Sequence, residues 1–439
     1  METLKFDLSK KAGEFKILNA TNGGPCGTGE MKSQYRSNFA QYKAARIPYT
    51  RNHDSGVNGV YGGPYSHDIS KIFRNFDADV NDPESYDFAC TDADILNALN
   101  AGTKTFFRLG ETIEHQVKKH ATLPPKDFHK WAQICEHIIM HYTEGWADGF
   151  KLDMPYWEIW NEPDPATEDP QNPCGTWGGT HAQFFDLYEI TAKHLKSRFP
   201  HLKIGGPALA HKMDWAERFL KEMAKREVPI DFFSWHIYCV EPQKMVERAT
   251  RVRELLQETG YGNAESILNE WNYVKGWREE FVYTLLQIHG IKGGAFVMSM
   301  ITEAQKCDGI DMLMYYDTRG GSGFNGAFDH ITLGPLKAYY ALAFYGNFYD
   351  MEYEVRCENE PENIYTLCGI DKNGKALCIV THYTDDDNAQ EKTVKLDFGR
   401  EGKYEVYTVD AENDGTLTEV TEKTEFTLKP LSFVMIKEC

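Results

Sequence analysis

Residues 157 to 164 read WEIWNEPD, a run of bulky side chains that ends abruptly on polar ones. The tryptophans and the isoleucine are typical of a buried β-strand. Asn161 and Glu162 are polar, and Pro163 lacks the backbone N–H that a strand inside a sheet needs. The pattern therefore predicts a strand that stops at a polar tip, which is where barrel enzymes carry their catalytic groups.

Seven more β-rich runs accompany this one along the chain. The eight predicted strands are 15–20, 47–53, 104–110, 156–162, 203–208, 232–238, 266–272 and 312–317. The segments between them repeat apolar residues every three or four positions, as Trp131, Cys135, Ile138 and Tyr142 do, which indicates helices with one buried face. Eight strands alternating with helices predict an α/β fold, a (β/α)8 TIM barrel over residues 15–340.

The pattern changes after about residue 345. ENIYTLCGI, DKNG and KALCIVTHY predict a hairpin around Asn373 and Gly374, and further strand-like runs follow to the end. Residues 345–439 are therefore predicted to form an all-β sandwich. Leu4, Phe6 and Leu8 alternate with polar residues, so segment 1–13 is a candidate for one more strand of that sandwich.

Composition and charge narrow the classes of partner. The 439 residues carry a formal net charge of −19, from 47 basic and 66 acidic side chains, which disfavours nucleic-acid and anionic-membrane partners. The start, METLKFDLSK, lacks a signal-peptide pattern, and no apolar run approaches 18 residues. The ten cysteines include no CxxC pair, which is typical of thiols in a reducing compartment. We therefore expect a cytoplasmic protein that binds a small ligand.

Two acids stand at predicted strand tips. Glu162 ends the fourth strand and Glu270, in SILNEWNY, ends the seventh, so both face the same mouth of the barrel. Cleavage of a glycosidic bond needs one protonated and one ionised carboxyl group across a cleft. The alternative is that these are solvated surface charges, but each follows an Asn at the end of an apolar run, which favours catalysis.

WEIWNEPD resembles the acid/base motif of the retaining glycoside hydrolases of clan A, and the chain most resembles glycoside hydrolase family 39. That family contains β-xylosidases and α-L-iduronidases built from a (β/α)8 barrel and a β-sandwich. The resemblance implies that Glu162 is the general acid/base, that Glu270 is the nucleophile and that Asn161 binds the sugar 2-hydroxyl. The implied function is a retaining, exo-acting glycoside hydrolase that cleaves a β-xyloside.

Other residues resemble the family or depart from it. Arg51 and His53 match an Arg-x-His at the second strand, and DFFSWHIY matches the sixth, where a Tyr approaches the nucleophile. Arg108 stands where a Glu is usual, and the eighth strand lacks the family's Trp-Thr-Phe segment. Together with Asn161, the predicted substrate-binding residues are His53, Asp54, His236, Tyr238, Trp271 and Tyr316.

Several alternatives stay open at this point. The same machinery could act on an α-L-arabinofuranoside, a β-glucoside or a galactoside, or the chain could be a non-catalytic sugar-binding barrel. His53 and His236 could be metal ligands, but FKILNA has no His-x-His pair, so we expect neither a metal nor an organic cofactor. The expected partner is a small oligosaccharide or glycoside, and the family resemblance suggests a homo-oligomer.

Three further features have two interpretations each. RGGSGFNG, residues 319–326, follows the eighth strand, and its Phe324 or Asn325 either contacts substrate or belongs to an ordered loop without contacts. Trp177 is either a sugar platform or a packed loop aromatic. The aromatic residues at 281–288 and 339–349 lie at helical spacing and are interpreted as core or subunit contacts rather than ligand sites.

Overall fold

The computed structural model describes residues 2–27, 37–54 and 65–439. Eight parallel strands close into a barrel, each hydrogen-bonded to the next and the last to the first. Every predicted strand of the barrel is confirmed. The barrel strands are β2 (Ile17–Asn22), β3 (Tyr49–Arg51), β4 (Lys104–Leu109), β5 (Tyr156–Ile159), β6 (Lys203–Leu209), β7 (Phe232–Cys239), β8 (Glu265–Tyr273) and β9 (Met312–Tyr315).

Helices follow the strands and cover the barrel. Helix α4 illustrates why these segments are helical. Its first turn is capped by the Asp127 side chain, which accepts from the backbone N–H groups of His129 and Lys130. The apolar face predicted from the sequence is buried. The helices are α1 (Phe39–Ala44), α2 (Ile69–Ile72), α3 (Ala89–Asn100), α4 (Phe128–Thr143), α5 (His181–Arg198), α6 (Met213–Lys225), α7 (Pro242–Glu258), α8 (Phe281–His289), α9 (Ile291–Lys306) and α10 (Lys337–Gly346). Short 3-10 segments lie at Pro83–Ser85, Trp146–Asp148 and Asn347–Asp350.

The barrel interior changes from apolar to polar along its axis. Phe106, Tyr156, Phe232 and their neighbours fill one end with an apolar cluster. Because successive side chains of a strand point to opposite faces, Glu158 enters the interior like Tyr156, while Trp157 packs outward. The strands therefore carry their polar residues at the C-terminal end, where the site lies.

The C-terminal region is all β, as predicted. One sheet has six strands in the order β10-β11-β12-β17-β14-β15, and a second has three in the order β1-β13-β16. Leu4 lies opposite Leu396 in the parallel pair formed by β1 and β13. The strands are β1 (Glu2–Lys5), β10 (Met351–Val355), β11 (Ile364–Asp371), β12 (Ala376–His382), β13 (Lys392–Asp397), β14 (Tyr404–Val409), β15 (Asp414–Thr421), β16 (Glu425–Leu428) and β17 (Ser432–Glu438).

The larger sheet packs directly on the barrel helices. The Phe433 ring contacts Phe344 of α10, and the Tyr383 ring contacts Phe296 of α9. Buried Lys292 of α9 also reaches Asp387, in the loop after β12, at 2.5 Å. The barrel and the sheet therefore share one core. Across the described parts of the chain, no helix combines the length and apolar character needed to cross a bilayer.

Candidate active site

Glu162 and Glu270 meet at the C-terminal mouth of the barrel. Glu162 lies three residues beyond β5, and Glu270 lies within β8 beside His236 of β7. A carboxylate oxygen of each acid and a ring nitrogen of His236 all lie within 4.8 Å of one another. Both acids can therefore reach one reacting atom.

The turn after β5 explains how a strand of bulky, buried side chains can be followed by Glu162 at the barrel mouth. Trp160 and Glu162 adopt left-handed backbone conformations, with φ of +72° and +51°. Such conformations cost about 1–3 kcal/mol each outside glycine. Asp164 offsets part of that cost, because its buried carboxylate accepts three backbone N–H groups of residues 210–212 at 2.8 to 3.0 Å. The turn thus directs Glu162 inward, towards His236.

The surroundings of Glu162 favour its protonated form. Burial and the nearby Asp164 carboxylate raise the pKa of Glu162 to about 8, although the Arg51 charge acts in the opposite direction. Oε1 of Glu162 lies 2.8 Å from Nδ1 of His236. Burial and the Arg51 charge lower the pKa of His236 to about 4, against the opposing effect of Glu270, so the ring is neutral at pH 7. Glu162 can therefore act as an acid near neutral pH.

Glu270 has more support for its ionised form. Oε1 accepts from Nη1 of Arg51 at 2.8 Å, and Oε2 accepts from the Tyr238 hydroxyl at 2.9 Å. Burial leaves the pKa of Glu270 raised, although the Arg51 charge and the Tyr238 hydrogen bond oppose the shift. Because no cation contacts Glu162 directly among the described residues, a proton shared by the two acids favours Glu162.

Arg51 of β3 bridges strands β5 and β8 through their acidic side chains. The guanidinium group is fully buried and donates to Glu158 at 2.7 Å, to Glu270 at 2.8 Å and to the Asn161 side-chain oxygen at 2.7 Å. Sequence reasoning did not select Glu158. Its signal is an acid in the middle of an apolar strand, where a charged side chain needs a buried partner.

Most of the predicted substrate-binding residues converge on Glu270. Nε2 of His53 lies 3.9 Å from Oε1 of Glu270 and 3.5 Å from a carboxylate oxygen of Asp54. The Tyr316 hydroxyl lies 3.4 Å from the other oxygen of Asp54. Buried Asn161 uses its oxygen for Arg51, while its side-chain nitrogen has no hydrogen-bond partner within the described residues. That nitrogen is free to donate to a ligand.

Two aromatic residues lie elsewhere. The Trp271 side chain has no exposed surface and packs against Phe296 of α9 and Tyr315. Because neighbours on a strand point to opposite faces, Trp271 faces the helices when Glu270 faces the barrel interior, and the structure does not bring it to the site. Trp177 is equally buried, with its ring edge-on to Trp160, so the packed-loop interpretation fits its position.

The loop after β9 supplies the charged groups Asp317 and Arg319. Asp317 departs from the family pattern at the eighth strand, but neither residue was predicted to bind substrate. Nη1 of Arg319 donates to the Asp54 carbonyl at 2.9 Å, and Nη2 lies 3.3 Å from the Asp317 carboxylate. Burial raises the pKa of Asp317 to about 7, although Arg319 opposes the shift. These groups flank Tyr316, so the loop forms part of the wall beside Asp54. Their signal in the sequence was only their place after the eighth strand.

Glu162, His236 and Glu270 are close enough to hold a metal ion. Two features oppose a cation there: the fixed positive charge of Arg51 lies 2.8 Å from Glu270, and the pKa of Glu162 is raised to about 8. Metal ligation requires deprotonated carboxylates. The group is therefore better suited to proton transfer than to metal binding.

Comparison with known proteins adds a family and a fold. A family model described as glycosyl hydrolases family 39 matches residues 10–281. A β-xylosidase of Geobacillus stearothermophilus is 28% identical over 238 residues, which are 48% of this chain and 45% of that protein. The chain thus matches about half the length of this curated relative.

Solved structures resemble the whole chain. A glucosidase from Croceicoccus marinus has a TM-score of 0.79 at 19% identity, covering 100% of this chain and 98% of the other. A monomeric β-xylosidase from Caulobacter crescentus CB15 has a TM-score of 0.71 at 16% identity, covering 100% and 99%. At these identities the likeness shows a shared fold.

Proposed function

Because the chain belongs to glycosyl hydrolases family 39, we propose that it is a retaining, exo-acting glycosidase that removes a terminal β-xylose from short glycosides. The observation that carries the proposal is the approach of the two acids: one carboxylate oxygen of Glu162 lies within 4.8 Å of one carboxylate oxygen of Glu270, which is close to the retaining arrangement. Retaining glycosidases hold their carboxyl groups about 5–5.5 Å apart, and inverting enzymes about 6.5–9.5 Å apart to admit a water molecule. The β-xyloside preference follows the curated relative.

The proposed reaction has two steps. Ionised Glu270 attacks the anomeric carbon while protonated Glu162 gives its proton to the leaving oxygen, so that a glycosyl ester forms and the glycosidic bond breaks. Glu162, now ionised, then takes a proton from water as the water oxygen displaces Glu270. The raised pKa of Glu162, about 8, suits a group that must be protonated in the first step and basic in the second.

The surrounding residues receive supporting roles. Arg51 and Tyr238 keep Glu270 ionised and oriented through contacts of 2.8 and 2.9 Å. The unpaired side-chain nitrogen of Asn161 is assigned to the sugar 2-hydroxyl. His53, Asp54 and Tyr316 are assigned to the terminal sugar, and His236 to the positioning of Glu162.

We assign catalysis to a unit of residues 15–340. Residues 345–439, together with the strand in segment 1–13, are assigned to an accessory β-sandwich. A cytoplasmic site of action is supported by the spacing of the ten cysteines, which include no CxxC pair, as is typical of thiols in a reducing compartment. The expected homo-oligomer stays a prediction.

The test compares wild type, Glu162→Ala and Glu270→Ala on a panel of aryl xylosides, arabinofuranosides, glucosides and galactosides. Azide should rescue both variants, giving a glycosyl azide of inverted anomeric configuration with Glu270→Ala and of retained configuration with Glu162→Ala, as read by NMR. Glu265→Ala is the matched control, because Glu265 begins the same strand β8 at the opposite end of the barrel.

Three outcomes would contradict the proposal. If Glu270→Ala cleaves as well as wild type, the double-displacement mechanism is wrong. If the wild type binds sugars but cleaves none of the panel, the sugar-binding barrel is the better description. If a chelator abolishes activity, metal-dependent hydrolysis takes its place.

A further inference from the structure

An aromatic surface continues outward from the nucleophile to solvent. The Tyr238 ring, whose hydroxyl lies 2.9 Å from Glu270, is edge-on to the Trp277 ring with centroids 5.2 Å apart. Phe281 and Phe324 pack against Trp277 at 6.1 and 6.0 Å. Trp277 is 57% exposed although only the Tyr238 ring separates it from Glu270. We call Trp277, Phe281 and Phe324 the mouth platform; the helical spacing of Phe281 predicted a core or subunit contact, but its ring lies beside Trp277 and Phe324.

Packing of the barrel core does not explain Trp277, because more than half of its side chain is exposed to solvent. A large apolar side chain gains by burial, and an exposed one beside a ligand site is a typical recognition surface. The loop that carries Trp277 is held firmly, because Lys275 bonds to Asp385 at 2.9 Å and its backbone N–H donates to Thr284. These contacts and the packing of the three rings on one another favour a platform that is ordered without a ligand, which limits the entropy lost on binding.

The identity of the ligand follows from the geometry of the site. In an exo-acting enzyme the terminal sugar occupies the enclosed end, where Glu162 and Glu270 lie, and the leaving group points outward. The only part of the substrate that can reach an exposed side chain at the mouth is then the leaving group. Rings of phenylalanine form no ordinary hydrogen bonds, and the platform offers one donor, the Trp277 indole N–H. An aromatic ring can stack on this surface over its whole face, whereas a second sugar would stack only its apolar face and would leave hydroxyls without partners on the platform, so the platform favours an aromatic group.

Building on the proposed function, we propose that the mouth platform is a leaving-group subsite that selects glycosides whose leaving group is an aromatic ring. The ring stacks on Trp277 while Glu162 protonates the oxygen that joins it to the sugar. In the reverse sense, an aromatic alcohol on the platform can attack the glycosyl ester of Glu270. Its oxygen bonds to the anomeric carbon, its proton passes to Glu162, and Glu270 departs as a carboxylate.

The test uses two substrates with the same sugar, identified from the panel, and different leaving groups: 4-nitrophenyl and methyl. For Trp277→Ala we expect kcat/KM to fall about tenfold on the aryl glycoside and to change less than twofold on the methyl glycoside, because one aromatic contact is lost. Trp277→Phe should recover most of the loss. Val282→Ala is the control, since Val282 is 69% exposed on the neighbouring helix α8 but outside the platform.

A second measurement isolates the subsite from the first chemical step. Enzyme trapped as its 2-fluoroglycosyl ester is reactivated by water or by added benzyl alcohol. Reactivation by water should be equal in wild type and Trp277→Ala, because no leaving group is present, whereas acceleration by benzyl alcohol should be lost in the variant.

Each remaining outcome counts against the platform. Equal losses on both substrates, or no loss on either, would show that Trp277 does not contact the leaving group. A changed sedimentation coefficient of Trp277→Ala with unchanged kinetics would make the surface a contact between two copies of the chain. If the wild type cleaves no glycoside, the proposed function is wrong and the platform fails with it, which separates that case from a wild type that is active but indifferent to Trp277.

Discussion

The hydrogen bond between Tyr238 and Glu270 offers a sensitive test of the nucleophile assignment. Tyr238→Phe removes a hydroxyl that lies 2.9 Å from Oε2 of Glu270, while the ring contacts with Trp277 and Phe324 remain. A hydrogen bond to a charged group contributes about 1.5–3 kcal/mol, which corresponds to a factor of about 10 to 150 in an ionisation equilibrium.

The direction of the effect follows from the charge. The Tyr238 hydroxyl lowers the pKa of Glu270 by stabilising the carboxylate, so its removal raises that pKa. The nucleophile is then ionised only at higher pH, and the acidic limb of the profile of kcat/KM against pH moves to higher pH. Below that limb, kcat/KM should fall by about 10- to 150-fold, with a smaller loss on the plateau.

Tyr142→Phe is the matched control. The buried Tyr142 hydroxyl also donates to a carboxylate at 2.9 Å, that of Asp92, but it lies on α4, away from the site. This variant should lose comparable stability and keep the wild-type pH profile. If Tyr238→Phe leaves the acidic limb in place, or moves it to lower pH, Glu270 is not the group whose ionisation starts the reaction.

Three further predictions concern charges around the site. Asp164→Asn removes an anion that helps to raise the pKa of Glu162 to about 8, so the basic limb of kcat/KM should move to lower pH; an unchanged limb would mean that another group sets it. Glu158→Gln removes one of the two carboxylates that pair with buried Arg51 and should lower the free energy of unfolding by about 3–5 kcal/mol, as measured by urea titration. A loss under about 1 kcal/mol would show that the ion pair contributes little to stability. Asp385→Ala removes the carboxylate that accepts hydrogen bonds from Tyr273, at the end of β8, and from Lys275, in the loop that follows. The free energy of unfolding should fall by about 1.5–3 kcal/mol in the same titration. No loss would argue that the C-terminal region does not support that loop.

The fold was predictable because each strand and helix of the barrel carries its own local pattern. The run around Trp157 and the apolar face of α4 both report burial through their spacing along the chain, so alternation of the two patterns was enough to predict the barrel. The placement of Glu162 and Glu270 at one mouth followed from the fold, since the C-terminal ends of parallel strands share one rim.

The sequence by itself therefore determined the barrel, the all-β region and the pair of acids at its mouth. Tertiary structure decided which side chains meet: it placed Arg51 between Glu158 and Glu270, turned Trp271 towards the helices and set Trp277 beside Tyr238. The physical reason is the separation along the chain of the residues that interact. Periodicity records how each residue relates to its near neighbours and to water, whereas a proton's position and a ligand's contacts depend on charges and rings that are distant in the chain and adjacent only after folding.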